Sequence, residues 1–265
     1  MKTKVILITG ASSGIGFETA NYLHQLGHHV IGLSRSYPKK TYHFNYILCD
    51  ITNEVQVNQI KQKIAKDFGC LDVLVNSAGM GISGAIEHTP LSEVQQIYQV
   101  NVFGHFLVTR TLLPLLRQSK DARIINISSI ASEIALPFQS FYSMTKASVD
   151  AFTKALSIEL KPFSIQVGSI LPGDIQTNFT KNRLQPAKAE DELYGKRIKA
   201  SIERMEKDES NGMPAIRIAK KVEKMINKKS MPIRTTVGMT YKLIRLMYRL
   251  LPEKWVLFFV RKLYG

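Results

Sequence analysis

Short apolar runs alternate with longer helix-patterned stretches along the first two-thirds of the chain. The apolar runs are VILIT (5–9), HVIGLS (29–34), YILC (46–49), VLV (73–75), RIINIS (123–128) and IQVGSIL (165–171). Between them, apolar residues recur three and four positions apart, as over 15–26, 55–68 and 91–117. Strands separated by helices of this length predict βαβ units and a parallel sheet. We therefore expect an α/β fold with a single doubly wound domain, in which PIRTTVG (232–238) forms a last, edge strand.

A glycine-rich loop lies between the first strand and the first helix, where TGASSGIG occupies residues 9–16. Gly10, Gly14 and Gly16 let the backbone turn tightly and approach a pyrophosphate, which the N–H groups of the helix N-terminus can then bind. The spacing is GxxxGxG rather than GxGxxG, so the loop alone is a weak signal. Its place between a strand and a helix favours a dinucleotide site over the alternative, a turn without a ligand.

The end of the second strand indicates which dinucleotide is bound. In NAD-preferring sites, an acidic residue about 20 residues past the loop holds the ribose 2′-hydroxyl. Ser34 stands at that place here, and Arg35 follows, with Lys39 and Lys40 nearby. Because an arginine pairs with a phosphate that a carboxylate would repel, we predict that NADP(H) is preferred over NAD(H). The alternative is that Arg35 is a plain surface arginine.

Composition and cysteine usage exclude several classes of protein. Hydrophobic residues make up 45% and charged residues 22% of the 265 residues, which is typical of globular proteins. Cys49 and Cys70 form no CxxC or Cys/His cluster, so we expect neither a disulfide framework nor a metal site, in keeping with a cytoplasmic location. The run VILI is too short for the core of a signal peptide, and no run is long enough to span a bilayer.

Seven motifs, in this order along the chain, resemble those of the classical short-chain dehydrogenase/reductase family. They are TGASSGIG (9–16), Asp50 in LCDIT, NSAG (76–79), Asn101 in QVNVFG, Ser129 in INISS, YSMTK (142–146) and PGDIQT (172–177). The match covers Lys4 to about Thr177 and continues more loosely beyond. Ser77 departs from the family pattern, which has an asparagine there. The resemblance implies a Rossmann-type fold with about seven parallel strands flanked by helices, and an NAD(P)-dependent oxidoreductase that interconverts an alcohol and a carbonyl.

The resemblance also implies which residues contact the cofactor. Asp50 matches the adenine-contacting aspartate, and PGDIQT matches the segment that flanks the nicotinamide. The full set is Gly10, Ser12, Ser13, Gly14, Ile15, Gly16, Ser34, Arg35, Asp50, Ile51, Asn76, Ala78, Gly79, Tyr142, Lys146, Pro172, Gly173, Ile175 and Thr177.

Tyr142 and Lys146 are four residues apart in a helix-patterned stretch, so they share one face of that helix. A free phenol has a pKa near ~10, and a nearby ammonium group favours the phenolate, so we expect Lys146 to lower the pKa of Tyr142. The resemblance implies that Tyr142 is the general acid or base and that Ser129 hydrogen-bonds the substrate oxygen. It also implies that Lys146 binds the nicotinamide ribose, and that Asn101 holds a water that relays protons to Lys146. The expected substrate contacts are Ser129, Gln139 and Tyr142.

The substrate pocket is expected to be apolar, on the strength of Ile134, Leu136, Pro137, Phe138, Phe179 and Leu184. The wider similarity, including GMGISG, LPFQSFYS and LKPFSIQV, resembles the branch that contains hydroxysteroid and retinol dehydrogenases. A steroid-, retinoid- or lipid-like substrate is therefore expected. A 3-ketoacyl thioester reductase is one alternative, and a catalytically silent nucleotide sensor or scaffold protein is another. The intact set of Ser129, Tyr142 and Lys146 argues against lost catalysis.

The last third of the chain carries most of the net charge of +15, with 21 Lys and Arg against 9 Asp and Glu over residues 181–265. We interpret residues 178–230 as an inserted substrate lid and residues 232–265 as a basic amphipathic segment. One helical face of that segment holds Lys242, Arg245 and Arg249, and the opposite face holds Leu243, Leu246, Met247 and Leu250. The pattern suits peripheral contact with an anionic membrane, packing over the active site, or packing against another subunit.

The expected partner is a small apolar carbonyl or alcohol substrate. No nucleic-acid partner is expected, because the sequence contains no recognised nucleic-acid module. The resemblance implies a homodimer or homotetramer, which the family commonly forms.

Overall fold

Seven parallel strands form the central sheet of the computed structural model, which describes residues 2–177, 179, 182–184 and 193–264. Across the sheet they are β3 (Asn45–Leu48), β2 (His29–Ser34), β1 (Val5–Thr9), β4 (Val73–Asn76), β5 (Arg123–Ile127), β6 (Gln166–Leu171) and β9 (Arg234–Thr236). The strand order reverses between β1 and β4, and a crevice opens at the carboxyl ends of the strands where such a reversal occurs. The predicted doubly wound sheet is confirmed, including its C-terminal edge strand.

Helices cover both faces of this sheet. On one face, α1 (Gly14–Gln25) and α7 (Ile216–Asn227) pack against the strands. On the other face lie α2 (Glu54–Phe68), α4 (His105–Leu116) and α5 (Ser140–Glu159). Because both faces are covered, all five residues of β1 and all five of β5 are buried, which explains their continuous apolar runs.

The long helix predicted over 91–117 forms, but it is interrupted by a π-helical turn. α3 (Leu91–Tyr98) runs into π-helical residues 99–104, and α4 continues directly from them. Such a turn inserts an extra residue into the helix and is frequent at functional sites. Here the insertion contains Asn101, whose side chain is fully buried.

Two short strands and three further helices complete the described chain. β7 (Ile175–Gln176) pairs with β8 (Met213–Pro214), and α6 (Gly195–Ser210) lies between them in sequence. α8 (Met239–Leu250) and α9 (Glu253–Tyr264) follow the edge strand β9. Among the described helices, none is long and apolar enough to cross a membrane.

The segment 178–230, which we interpreted as a lid, contains a helix of the core. Ile218, Val222, Met225 and Ile226 of α7 are all at most 1% exposed and pack in the same cluster as α1. The lid interpretation is therefore wrong for α7. It stays a prediction for the rest of the segment, of which residues 178, 180, 181 and 185–192 lie outside the described residues.

Candidate active site

A single cleft of about 940 Å³ crosses the carboxyl ends of the strands. It begins at the glycine-rich loop, passes Ser129, Tyr142 and Lys146, and ends against the inner sides of α8 and α9. Every predicted cofactor residue lines it except Asn76. The cleft thus brings together predicted cofactor residues that are up to 167 positions apart in the sequence, from Gly10 to Thr177.

The glycine-rich loop has the shape that a phosphate cradle requires. Gly10 has φ 71°, and a Cβ there would lie 2.7 Å from the Cα of Ala78. A Cβ on Gly16 would lie 2.3 Å from the carbonyl oxygen of Gly10. The first turn of α1 contains no acidic residue, so its N–H groups and dipole are available to an anion. These features fit the pyrophosphate of a dinucleotide.

Buried hydrogen bonds fix the turn that faces this loop. The Thr9 hydroxyl accepts from the backbone N–H groups of Ser77 and Ala78, each at 3.0 Å. His105 Nε2 lies 2.7 Å from the carbonyl oxygen of Ala78 and donates to it. Burial lowers the pKa of His105 to about 4, so this ring is neutral and acts as a clamp on the turn. Sequence reasoning missed His105, because its position on α4 gives no indication of what it contacts.

Polar groups line the part of the cleft beside the ends of β2 and β3. Ser34 donates from its hydroxyl to Ser12 at 3.0 Å, which ties the end of β2 to the glycine-rich loop. Arg35 is exposed and lines the cleft. Asp50 Oδ1 accepts from the N–H of Thr52 at 2.9 Å and from its hydroxyl at 2.8 Å, which orients the carboxylate.

Ser129, Tyr142 and Lys146 meet where β5 ends and α5 begins. Ser129 follows β5 and caps a short helix, accepting from the N–H of Ala131 at 3.1 Å. Tyr142 lies in the first turn of α5, and Lys146 Nζ lies 5.7 Å from the centre of its ring. Lys146 also donates to the carbonyl oxygen of Ile127 at 3.0 Å. The shared helical face predicted from the spacing is thus present, with Ser129 beside it.

The pKa of Tyr142 moves in the direction opposite to our expectation. Burial raises it to about 12, and the opposing effects of a hydrogen bond with Ser129 and the charge of Arg183 are smaller. The expected net lowering of this pKa is therefore not found, because burial has the largest effect on it. Burial also lowers the pKa of Lys146 to about 8, so Lys146 is itself a weakened source of positive charge. Tyr142 is protonated at neutral pH, as a proton donor must be.

The two asparagines of the predicted site, Asn76 and Asn101, do not line the cleft. Asn76 is fully buried and its amide donates to Thr109 at 3.0 Å and to Asn126 at 2.9 Å, so it braces the sheet instead of contacting a cofactor. Asn101 accepts from the N–H of Met80 and donates to its carbonyl oxygen, both at 2.9 Å. Its amide therefore positions the turn beside the cleft, and the proton relay through water stays a prediction.

A family model for short chain dehydrogenases matches residues 4–188. The chain belongs to the short-chain dehydrogenase family. It is accordingly an NAD(P)-dependent oxidoreductase, as the sequence motifs implied.

Relatives of this short-chain dehydrogenase include proteins of stated activity. It is 38% identical to a 3-ketodihydrosphingosine reductase of Bacteroides thetaiotaomicron, covering 90% of this chain and 89% of the relative. A short-chain dehydrogenase from Streptomyces avermitilis has a similar structure, with a TM-score of 0.82, 28% identity, and coverage of 94% and 93%. A 3-ketoacyl-(acyl-carrier-protein) reductase from Brucella melitensis, complexed with NADH, has a TM-score of 0.73, 25% identity, and coverage of 88% and 96%.

The substrate end of the dehydrogenase is largely apolar, as predicted. Ile134, Leu136 and Leu184 line it, and the ring of Phe179 lies 5.6 Å from that of Tyr142. The predicted contact Gln139 also lines it and touches the sulfur of Met205. Two predicted lining residues do not contribute: Pro137 is absent from the lining, and Phe138 packs against Ala85 and Ile198.

Two polar pairs in the substrate end were not foreseen. Arg183 donates to Glu209 at 2.5 Å, and the side chain of Arg183 is only 2% exposed. Tyr241 of α8 donates to Asp174 in the segment after β6. Asp174 lies in the motif PGDIQT, but no motif indicated its partner or marked the other three residues, because each pair joins segments that are distant in sequence.

The basic face predicted for α8 is only partly exposed. Arg245 of the basic face points inward and donates to Glu133 at 2.7 Å, and Arg234 of β9 pairs with the same carboxylate. Leu243, Leu246 and Leu250 of the apolar face are all more than 50% exposed. Arg245 thus leaves the predicted basic face, since the largely buried Glu133 needs cationic partners, while Lys242 and Arg249 stay exposed.

Proposed function

We propose that the protein is an NADP(H)-dependent reductase of a lipid-like ketone. The observation that carries this proposal is the continuity of the cleft. Ser129, Tyr142 and Lys146 lie between a dinucleotide cradle and an apolar compartment closed by α8 and α9. A long apolar chain would fit that compartment, while its carbonyl lies beside Tyr142.

Each polar group at the centre of the cleft has a role in this reaction. A nicotinamide held beside Tyr142 and Lys146 would supply the hydride chemistry of the reaction. Tyr142 gives its phenolic proton to the carbonyl oxygen, and solvent then reprotonates the phenolate. Ser129 donates a hydrogen bond to the same oxygen as negative charge develops there. Lys146 holds the nicotinamide ribose and stabilises the transient phenolate of Tyr142.

The preference for NADP(H) rests on the end of β2. Arg35 lines the cleft next to Ser34, whose neutral hydroxyl stands where a repelling carboxylate would discriminate against a 2′-phosphate. A guanidinium group can pair with that phosphate through two hydrogen bonds.

Within the lipid-like class, we favour a long-chain ketone with a polar neighbour, as in 3-ketodihydrosphingosine, the substrate named for the relative at 38% identity. Glu209 lines the cleft, and its buried Oε2 has no hydrogen-bond partner among the described residues. Leaving a buried acceptor unpaired costs free energy, so a donor on the substrate would be favoured there. The amino group beside the ketone of 3-ketodihydrosphingosine is such a donor.

A panel of ketones with NADPH and with NADH tests the proposal. The panel contains 3-ketodihydrosphingosine, a 3-ketoacyl thioester, a steroid ketone, retinal and a small ketone. We expect the highest kcat/KM for the long-chain amino ketone with NADPH. Preference for the thioester would instead establish the alternative activity of a 3-ketoacyl reductase. Tight NADPH binding without turnover of any member would favour the nucleotide sensor.

The role of Glu209 is tested separately by the variant Glu209→Gln. We expect it to lower kcat/KM for the amino ketone about 10-fold more than for a long-chain ketone without the amino group, because only the former loses a charged partner. Equal losses for both substrates would show that Glu209 serves only to pair with Arg183.

A further inference from the structure

The outward sides of α8 and α9 expose a concentration of large apolar side chains. Eleven of the 24 exposed large apolar residues of the described chain lie between Met239 and Leu263, and six of the eleven do not line the cleft. These six include Leu246 (52% exposed), Leu250 (70%), Trp255 (57%) and Phe258 (55%). We call the exposed residues of 239–264 that do not line the cleft the C-terminal surface. Exposed apolar patches of this kind mark sites that contact another protein or a membrane.

Only one side of each helix contacts the rest of the protein. On α8, Tyr241, Arg245 and Tyr248 are less exposed than their neighbours, and on α9 the same holds for Val256, Val260 and Tyr264. Of the other residues of the two helices, some line the cleft, and the rest face outward. The C-terminal surface is thus a broad apolar face without a partner among the described residues.

The charges on the C-terminal surface identify the kind of partner. Lys242, Arg249, Lys254, Arg261 and Lys262 are exposed, and Glu253 is the only acidic residue in 239–264. A second copy of the same surface would bring these cations against one another. A bilayer with anionic headgroups satisfies both features, because the apolar rings enter the interface while the cations contact the headgroups.

We propose that the C-terminal surface docks the protein on an anionic lipid bilayer. The other sides of α8 and α9 form a wall of the cleft, where Ile244, Met247 and Val260 line it. Docking therefore places the substrate end of the cleft next to the hydrocarbon interface. A lipid-like substrate could then pass from the bilayer to Tyr142 without crossing water. The docking itself does not depend on the proposed reaction.

Trp255 is the only tryptophan of the chain, so its fluorescence reports on the C-terminal surface alone. The experiment titrates the purified full-length protein with phosphatidylcholine vesicles, with and without phosphatidylglycerol. We expect the emission to shift to shorter wavelength and to be quenched by brominated acyl chains in the anionic vesicles. We expect little change with neutral vesicles, and weaker binding as salt is raised.

A charge-reversal pair and a matched control complete the test. Lys254→Glu/Lys262→Glu should weaken binding to anionic vesicles by at least about 30-fold, at about 1 kcal/mol per lysine. Lys120→Glu/Lys161→Glu makes the same change in net charge at exposed positions far from α8 and α9, and should bind as wild type does.

Two outcomes would overturn the proposal. The first is the absence of any shift or quenching with anionic vesicles, or equal binding to neutral ones. The second is a shift that follows protein concentration alone, together with a dimer in sedimentation. That result would show that a second copy covers the C-terminal surface.

Discussion

At the scale of single residues, the proposed preference for NADP(H) depends on Arg35. Arg35→Asp removes the partner of a 2′-phosphate and adds a repelling charge at the same place. We expect the ratio of kcat/KM for NADPH to that for NADH to fall about 100-fold, a loss of about 3 kcal/mol. Lys120→Asp, at an exposed position remote from the cleft, is the control and should leave the ratio unchanged. An unaltered ratio in Arg35→Asp would place the 2′-phosphate elsewhere.

Lys146 makes stability depend on pH in a defined direction. Burial lowers its pKa from an ordinary value of 10.5 to about 8, so the unfolded chain holds the proton more tightly than the folded one. The cost of burying the charge is therefore greatest below pH 8 and is relieved as pH rises toward 10.5. Relative to Lys146→Met, the wild type should gain about 2 kcal/mol of unfolding free energy between pH 7 and pH 9.5. Denaturant unfolding of both proteins at the two pH values measures this difference. A constant difference would mean that Lys146 is not desolvated.

The sequence predicted which residues meet at the site better than it predicted their electrostatics. The spacing of Tyr142 and Lys146 gave their shared face directly, since a helix places residues four apart together. The pKa of Tyr142 depends instead on how completely other segments bury it, including Phe179 and Arg183, which no local pattern reveals. Asn76 was misplaced for a similar reason: its partners Thr109 and Asn126 lie on other elements.

At the scale of elements, a buried ion-pair cluster attaches α8 to the rest of the protein. Glu133 accepts from Arg245 at 2.7 Å, and Arg234 pairs with Glu133 and, at 3.1 Å, with Asp150. Burial alone would raise the pKa of Glu133, but the hydrogen bond from Arg245 and the charges of both arginines hold it below its usual range. The cluster is therefore ionised at neutral pH and ties α8 and β9 to the active-site loop.

Glu133→Gln keeps the shape of this side chain and removes its charge. We expect a loss of about 1–3 kcal/mol of unfolding free energy, because two largely buried arginines lose their carboxylate partner. We also expect faster tryptic cleavage within 239–264 and a higher KM for long-chain ketones, since α8 forms a wall of the cleft. Glu159→Gln, at the exposed end of α5, is the control. If cleavage and KM stay at the wild-type values, α8 is held by other contacts.

The periodicity of the apolar residues predicted which segments form helices and strands. It did not predict what each element packs against. The apolar runs at β1 and β5 are local signals that the structure confirms. The π-helical turn at 99–104 leaves the helical pattern intact and so escapes a periodicity argument. The inward orientation of Arg245 on α8 could not be predicted, because its partner Glu133 lies more than 100 residues earlier.

At the scale of the whole molecule, one continuous cleft runs from the glycine-rich loop at the edge of the sheet to α8 and α9. The doubly wound order of strands sets the nucleotide cradle beside Ser129 and Tyr142. α8 and α9 then close the cleft with one side and expose apolar and basic residues with the other. The motifs of the first 177 residues indicated the reaction, while the arrangement of the last 30 residues required the structure.

The most direct test of this account compares wild type with Tyr142→Phe in the reduction of 3-ketodihydrosphingosine by NADPH. The variant lacks the proton donor but keeps the ring, so kcat should fall about 100-fold or more. NADPH binding, measured by calorimetry, should change less than about threefold, since the glycine-rich loop and Arg35 are untouched. Turnover near the wild-type rate, with NADPH bound equally well, would contradict the assignment of Tyr142 as the proton donor and with it the account of the cleft.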